Sequence, residues 1–304
     1  MGGAAYAETP QVAVDIAPVH SLVARVMDGI GKPDLIIQPG ASPHEYSLRP
    51  SEASALQAAD LVFWIGPDLT PWLTDTIGTL ASDAVVTELM EADGTIELEF
   101  REGALFEAHD HGDDDDHDEH GDDDAESGHE GHDHGAHDPH AWLSPKNAMN
   151  WLNVIAGQLS AVDPDNAGAY FANAAAGRTE IKTLIGEVTA TLDPVRGGQF
   201  IVFHDAYQYF EMDFDFPASG AISISDASDP SPARIAKIQA RIAEQGIDCV
   251  LAEPQFNPGL VATVLDGTDA QTGILDPLGS DLELGPAFYP QLIRNLSNVL
   301  ADCM

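Results

Sequence analysis

The sequence predicts an α/β protein of two similar α/β lobes joined by a long rigid helix. Three observations predict it. Short apolar runs alternate with helical stretches over residues 11–66, and the same alternation returns over 200–304. Between them, residues 165–192 read as one helix, interrupted only weakly by Gly168, Gly177 and Gly186. At 1.5 Å per residue it would span about 40 Å and act as a strut. A chain of 304 residues that is 44% apolar can build one large domain or two of ordinary size.

In the first lobe, QVAVDI (11–16) reads as a strand, followed by a helix starting near Pro18. DLII (34–37) is a second strand, QPGASPHEYSLRPS a polar turn, and 51–59 a helix with Ser51 as its cap. DLVFWIG (60–66) is a buried-type strand. After a long insertion, residues 146–160 have helical periodicity that Asp163-Pro164 ends. In the second lobe FIVFH (200–204), AISI (221–224), CVLAE (249–253) and GILD (273–276) read as strands. A helix over 231–245 has Ser231 as cap and Pro232 in its first turn, and a last helix closes the chain. The division expected is an N-terminal lobe over 8–143, a helical segment over 144–194 and a C-terminal lobe over 195–304.

Fifty-one acidic residues oppose twelve basic ones, a formal charge of −39. That field repels nucleic acid and anionic membrane and attracts cations, although an acidic surface also serves solubility alone. No apolar run approaches the roughly 20 residues needed to span a bilayer. Near the start, AYA before Glu8 resembles the tail of an export-signal cleavage site, and an export signal absent from this sequence is expected. Cys249 and Cys303 lack CxxC spacing; they are either free and buried or one disulfide.

The insertion, about 107–138, contains His109, His111, His117, His120, His129, His132, His134 and His137 among carboxylates and glycines. It holds no apolar residue larger than alanine, so it is expected to be disordered without metal. With no scaffold fixing ligand geometry, its binding should be weak, multiple and unselective. The bland reading is a solvated acidic linker.

Of the four histidines outside it, three are candidate ligands at or near predicted element ends. His44 follows the strand at 34–37, His140 lies just past the insertion, and His204 ends the strand at 200–203. Asp276 ends the strand at 273–275. Strand ends far apart in sequence can converge on a cleft. Three imidazoles and a carboxylate would suit four-coordinate Zn²⁺ in the cleft between the lobes. Each histidine by itself is more often structural than ligating, and Asp276-Pro277 can be a simple turn. His20, at a helix start, is a further histidine that can merely pack. Asp205 can orient His204 or cap a helix, and Glu211 can lie nearby.

Four stretches make this pattern specific: GASPHEYSLRPSEASALQAADLVFWIG, DPHAWLSP, FHDAYQYFE and ILDPLG. In this order, over residues 10–304, the chain resembles the periplasmic zinc-binding receptors of bacterial ABC-type zinc importers, the ZnuA-like branch of the metal-binding solute-receptor family. The acidic, histidine-rich insertion before DPHAWLSP is also a mark of its zinc members. The resemblance implies metal held between two lobes, with His44, His140 and His204 as ligands and Asp276 or water completing the set. Manganese members usually carry glutamate where this chain has His204, so zinc is implied. It also implies a Cys249–Cys303 disulfide and a periplasmic location. Implied partners are an ABC permease and, as a possible donor, a periplasmic zinc metallochaperone; the receptor itself is expected to be a monomer.

The function so implied is high-affinity Zn²⁺ capture and delivery, not catalysis. No P-loop GxxxxGK[ST] occurs, so ATP hydrolysis would belong to a partner, and no HExxH motif marks a zinc hydrolase. Two other readings stand: a periplasmic zinc store or metallochaperone independent of a permease, and, more remotely, a hydrolase with water on zinc beside Glu45 or Glu211.

Overall fold

The computed structural model describes residues 9–101, 137–223 and 230–304. Two four-stranded sheets organise them. The first contains β1 (Val12–Val14), β2 (Asp34–Leu35), β3 (Leu61–Trp64) and β4 (Val85–Glu88), in the order β2-β1-β3-β4. The second contains β5 (Phe200–His204), β6 (Ala221–Ser223), β7 (Cys249–Ala252) and β8 (Gln271–Ile274), in the order β6-β5-β7-β8. Every strand pairing is parallel. Parallel neighbours need crossover connections. Helices α1 (Ala17–Val26), α2 (Pro50–Ala58) and α3 (Pro71–Leu80) lie between strands of the first sheet or beside it. Helices α6 (Gln208–Phe214), α7 (Pro232–Gln245) and α8 (Pro258–Leu265) do so in the second. The two lobes therefore repeat one strand plan, as the sequence predicts.

Between the sheets come α4 (Pro145–Val162) and the long α5 (Ala167–Leu192); α9 (Phe288–Cys303) ends the chain. The 26 residues of α5 span about 39 Å. It packs on α1, α4 and α9, touching helices of both lobes. Gly177 permits the closest approach. A Cβ there would lie 3.0 Å from Leu152 Cδ1 and 3.2 Å from Arg25 Cγ. Beside it Arg25 donates to both carboxylate oxygens of Glu180 at 2.8 and 3.0 Å. One apolar core runs from β1 to α9. A smaller one covers the other face of the second sheet. The period-2 alternation of strand side chains divides them: Phe200 and Val202 face the first core, Ile201 and Phe203 the second.

Several local expectations shift. The start of α2 is Pro50, not Ser51, and Arg49 is its cap residue. Glu52 satisfies the turn by accepting the Arg49 amide at 2.7 Å, so an acid three positions on replaces a serine hydroxyl. Strand β8 begins earlier than the apolar run GILD, because Gln271 and Thr272 pair with Cys249 and Val250 of β7. Sequence reading leaves α3, β4, α6 and α8 unassigned. In β4 both valines are more than two-fifths exposed, so no buried run marks it. Ser231 does cap α7, accepting the Arg234 amide.

Cys249, the first residue of β7, is disulfide-bonded to Cys303, the last of α9, with Cα atoms 5.8 Å apart. The alternative of two free thiols is closed.

Candidate metal centre

His44, His140 and His204 line one pocket. His44 lies in the loop between β2 and α2. Trp72 Nε1 fixes that loop by donating to Pro43 O at 2.8 Å. His140 starts the turn that leads into α4. His204 is the last residue of β5, and Glu253 follows β7 next to it. Adjacent parallel strands thus present their carboxyl ends together, where α/β folds bind ligands.

Two of the rings are oriented from behind. Asp138 Oδ1 is 2.7 Å from His140 Nδ1 and accepts the His140 amide at 3.0 Å. Glu253 Oε1 is 2.7 Å from His204 Nδ1 and accepts the His204 amide at 3.3 Å. A carboxylate only accepts, so each Nδ1 carries its proton and each Nε2 presents a lone pair. Those two Nε2 atoms face each other at 3.4 Å. Two imidazoles on tetrahedral zinc, with Zn–N of about 2.0–2.1 Å, have nitrogens roughly 3.3–3.4 Å apart. The third ring, His44, has its centroid 5.7 Å from that of His140. Among the described residues no trio of His, Cys, Asp or Glu is already drawn into a complete ligating cluster. The arrangement is a close pair with a third imidazole at its side.

Charge points the same way. Asp138 and Glu253 are buried. Two buried acidic side chains behind imidazole donors form a setting that suits a divalent cation. Apolar rings flank the centre. Phe256 stands edge-on to His204 at 5.5 Å and stacks on Phe203 at 4.4 Å. Trp142 packs beside His140 and donates to Pro277 O at 2.9 Å, tying the two halves of the pocket together. The room left for a water-sized sphere is about 10 Å³.

The structure does not bring Asp276 to the imidazoles. Its Oδ1 accepts the Leu278 amide at 3.0 Å and Gln255 Nε2 at 3.1 Å. Its Oδ2 accepts the amide and the hydroxyl of Ser280, both at 2.6 Å. Here the carboxylate caps its own turn. Nor does Asp205 orient His204. Asp205 and Glu211 instead receive Arg101, whose guanidinium reaches both carboxylates. Burial raises both carboxyls above their ordinary range, and Arg101 opposes the rise. His20 packs away from the pocket, its Nε2 3.1 Å from Pro33 O. His137 stands at the foot of the insertion, where it bridges Glu99. His109, His111, His117, His120, His129, His132 and His134 lie outside the described residues.

Sequence reading missed Glu253, Asp138 and Gln255. Glu253 ends the apolar run CVLAE, and an acid closing a buried strand was the available signal. Asp138 sits two residues before His140, a spacing from which a short side chain reaches back to the following amides.

Residues 12–303 match the family model for zinc-uptake complex component A, periplasmic. The chain belongs to this family. As a component A protein it is 48% identical, over all of its own length and 94% of the relative's, to the high-affinity zinc uptake system protein ZnuA of Brucella abortus (strain 2308). It is 41% identical to the protein of that name from Paracoccus denitrificans (strain Pd 1222), covering 99% of this chain and 93% of the relative. Among solved structures, a crystal structure of ZnuA superposes with a TM-score of 0.78 at 21% identity, over 97% of this chain and 99% of the other. A zinc-bound ZnuA deletion mutant superposes with a TM-score of 0.77 at 22% identity, over 97% and 98%. These two likenesses confirm the two-lobed component A fold.

Proposed function

We propose that this chain captures one Zn²⁺ ion in the periplasm through His44, His140 and His204 and delivers it to an ABC-type permease. The observation that carries the site assignment is the pair of Nε2 atoms at 3.4 Å, each ring backed by a buried carboxylate. Zinc is cargo, and it suits this donor set: imidazole favours zinc over manganese. Membership of the zinc-uptake family supports delivery to a complex. The fourth place at the metal falls to Asp276 or to water. The histidine-rich insertion acts as an auxiliary gatherer of zinc, and the protein works as a monomer.

The size of the pocket favours an ion receptor over a hydrolase. Room of about 10 Å³ is of ionic scale, whereas small-molecule sites run to roughly 300–1,000 Å³.

Chelator-competition titration tests the assignment. The intact chain and a chain lacking residues 109–136 should each bind one zinc tightly, and His204→Ala should lose at least a hundredfold. Tight binding that disappears with the insertion would refute the central site. Zinc-limited growth of a strain lacking this gene, rescued by the native chain but not by His204→Ala, tests delivery against mere storage.

A further inference from the structure

Gln255 joins the imidazole pocket to Asp276. It lines the pocket with His44, His140 and His204. Its Nε2 donates to Asp276 Oδ1 at 3.1 Å. Because a carboxylate can only accept, this bond decides which end of the amide is nitrogen. The other end, Oε1, is buried and has no hydrogen-bond partner among the described residues. A buried acceptor left unpaired is costly and calls for a donor. Asp276, by contrast, is well served, with Leu278 and Ser280 supplying three more donors.

We propose that Gln255 selects the fourth ligand of the metal: it tethers Asp276 in its turn and offers Oε1 to a water bound on zinc. Zinc acidifies a bound water, which makes that water a strong donor and a fitting partner for the orphaned oxygen. Charge agrees. Asp138 and Glu253 already place two buried acidic side chains behind the imidazoles, so a third carboxylate is not needed to favour a divalent ion there. The consequence concerns release. Water exchanges from zinc without moving the chain, whereas an Asp276 ligand would have to leave the metal and recover its turn partners. Gln255 is thus a positioning residue that keeps a tight site able to let go. The proposal rests on the three-imidazole reading above.

A thermodynamic cycle tests it. Zinc affinity is measured by chelator competition for the native chain, Asp276→Ala, Gln255→Ala and the double variant. In the native background Asp276→Ala should cost less than threefold. In the Gln255→Ala background, where the carboxylate has lost one of its four donors and is freer to swing towards the metal, the same change should cost at least threefold more than it does natively, and zinc should dissociate more slowly from Gln255→Ala alone. Repeating the cycle with Asp276→Asn, which keeps a side-chain acceptor in the turn, guards against a folding defect. The visible spectrum of the Co²⁺-loaded chain gives a readout that a purely structural role would not move: native and Asp276→Asn should superpose, and Gln255→Ala should differ. A coupling below threefold, or a loss of tenfold or more for Asp276→Asn in the native background, overturns the proposal. Failure of the underlying site has a different signature, namely tight zinc binding that survives His204→Ala in every background.

Discussion

His140 and His204 present their Nε2 atoms to each other at 3.4 Å while Asp138 and Glu253 hold the opposite edge of each ring. One ring enters through the turn before α4 and the other through the end of β5. The ligand pair therefore exists only when the two lobes are assembled. Glu253→Gln keeps an acceptor for Nδ1 but removes the charge, and an outer carboxylate of this kind typically contributes 10–100-fold in metal affinity. Titration of Glu253→Gln should show a loss in that range with the melting temperature of the zinc-free protein little changed.

The ligands themselves should rank. His204→Ala removes one of the close pair, whereas Asp276→Ala removes a carboxylate engaged in its own turn. Side-by-side competition titrations should show a loss of at least a hundredfold for His204→Ala and under threefold for Asp276→Ala. Equal losses would mean that Asp276 moves onto the metal.

Arg101 is held between Asp205 and Glu211, and all three side chains are largely buried. Removing it strands two carboxylates in a dry site. Breaking a buried pair from one side costs about 3–5 kcal/mol. Arg101→Ala should lower the denaturation midpoint correspondingly, with the slope unchanged; a shift of under 1 kcal/mol would show that water relieves the carboxylates.

His20 gives stability a pH dependence of defined sign. Burial pushes its imidazole below the ordinary value, and Pro33 O and Asp34 only partly offset this. The unfolded chain then takes up a proton that the folded chain refuses. This contribution is present above about pH 6.5 and is lost as the pH falls below it towards the depressed folded value. Denaturant midpoints measured from pH 7.5 to 5 should fall more steeply for the native chain than for His20→Gln.

The Cys249–Cys303 bond closes a segment with a sequence separation of 54. By the chain-entropy relation it contributes about 4 kcal/mol. Oxidised protein should show no reactive thiol after unfolding, and Cys249→Ser with Cys303→Ser should lose stability of that order while retaining zinc binding.

The sequence by itself determined the two-lobed α/β plan. FIVFH, CVLAE and DLVFWIG read as buried parallel strands, and 165–192, interrupted only weakly by three glycines, as a long helix. It also pointed to His44, His140 and His204, less through their places at element ends, which His20 shares, than through the resemblance of SPHEY, DPHAW and FHDAY to a family of metal receptors. Strand β4 and helix α8 escaped notice although both are apolar in sequence, because runs of four and eight residues are too short for periodicity to assign them. Tertiary structure alone decided the rest of the site. That Glu253 rather than Asp205 backs His204 depends on β7 lying beside β5. That Asp276 turns to Ser280 while Gln255 faces the imidazoles depends on which hydrogen bonds close the loop after β8. Periodicity along a chain reports which face of an element is buried. It carries no information about which side chains, brought from different strands, share one pocket, because that is settled by packing between elements distant in sequence.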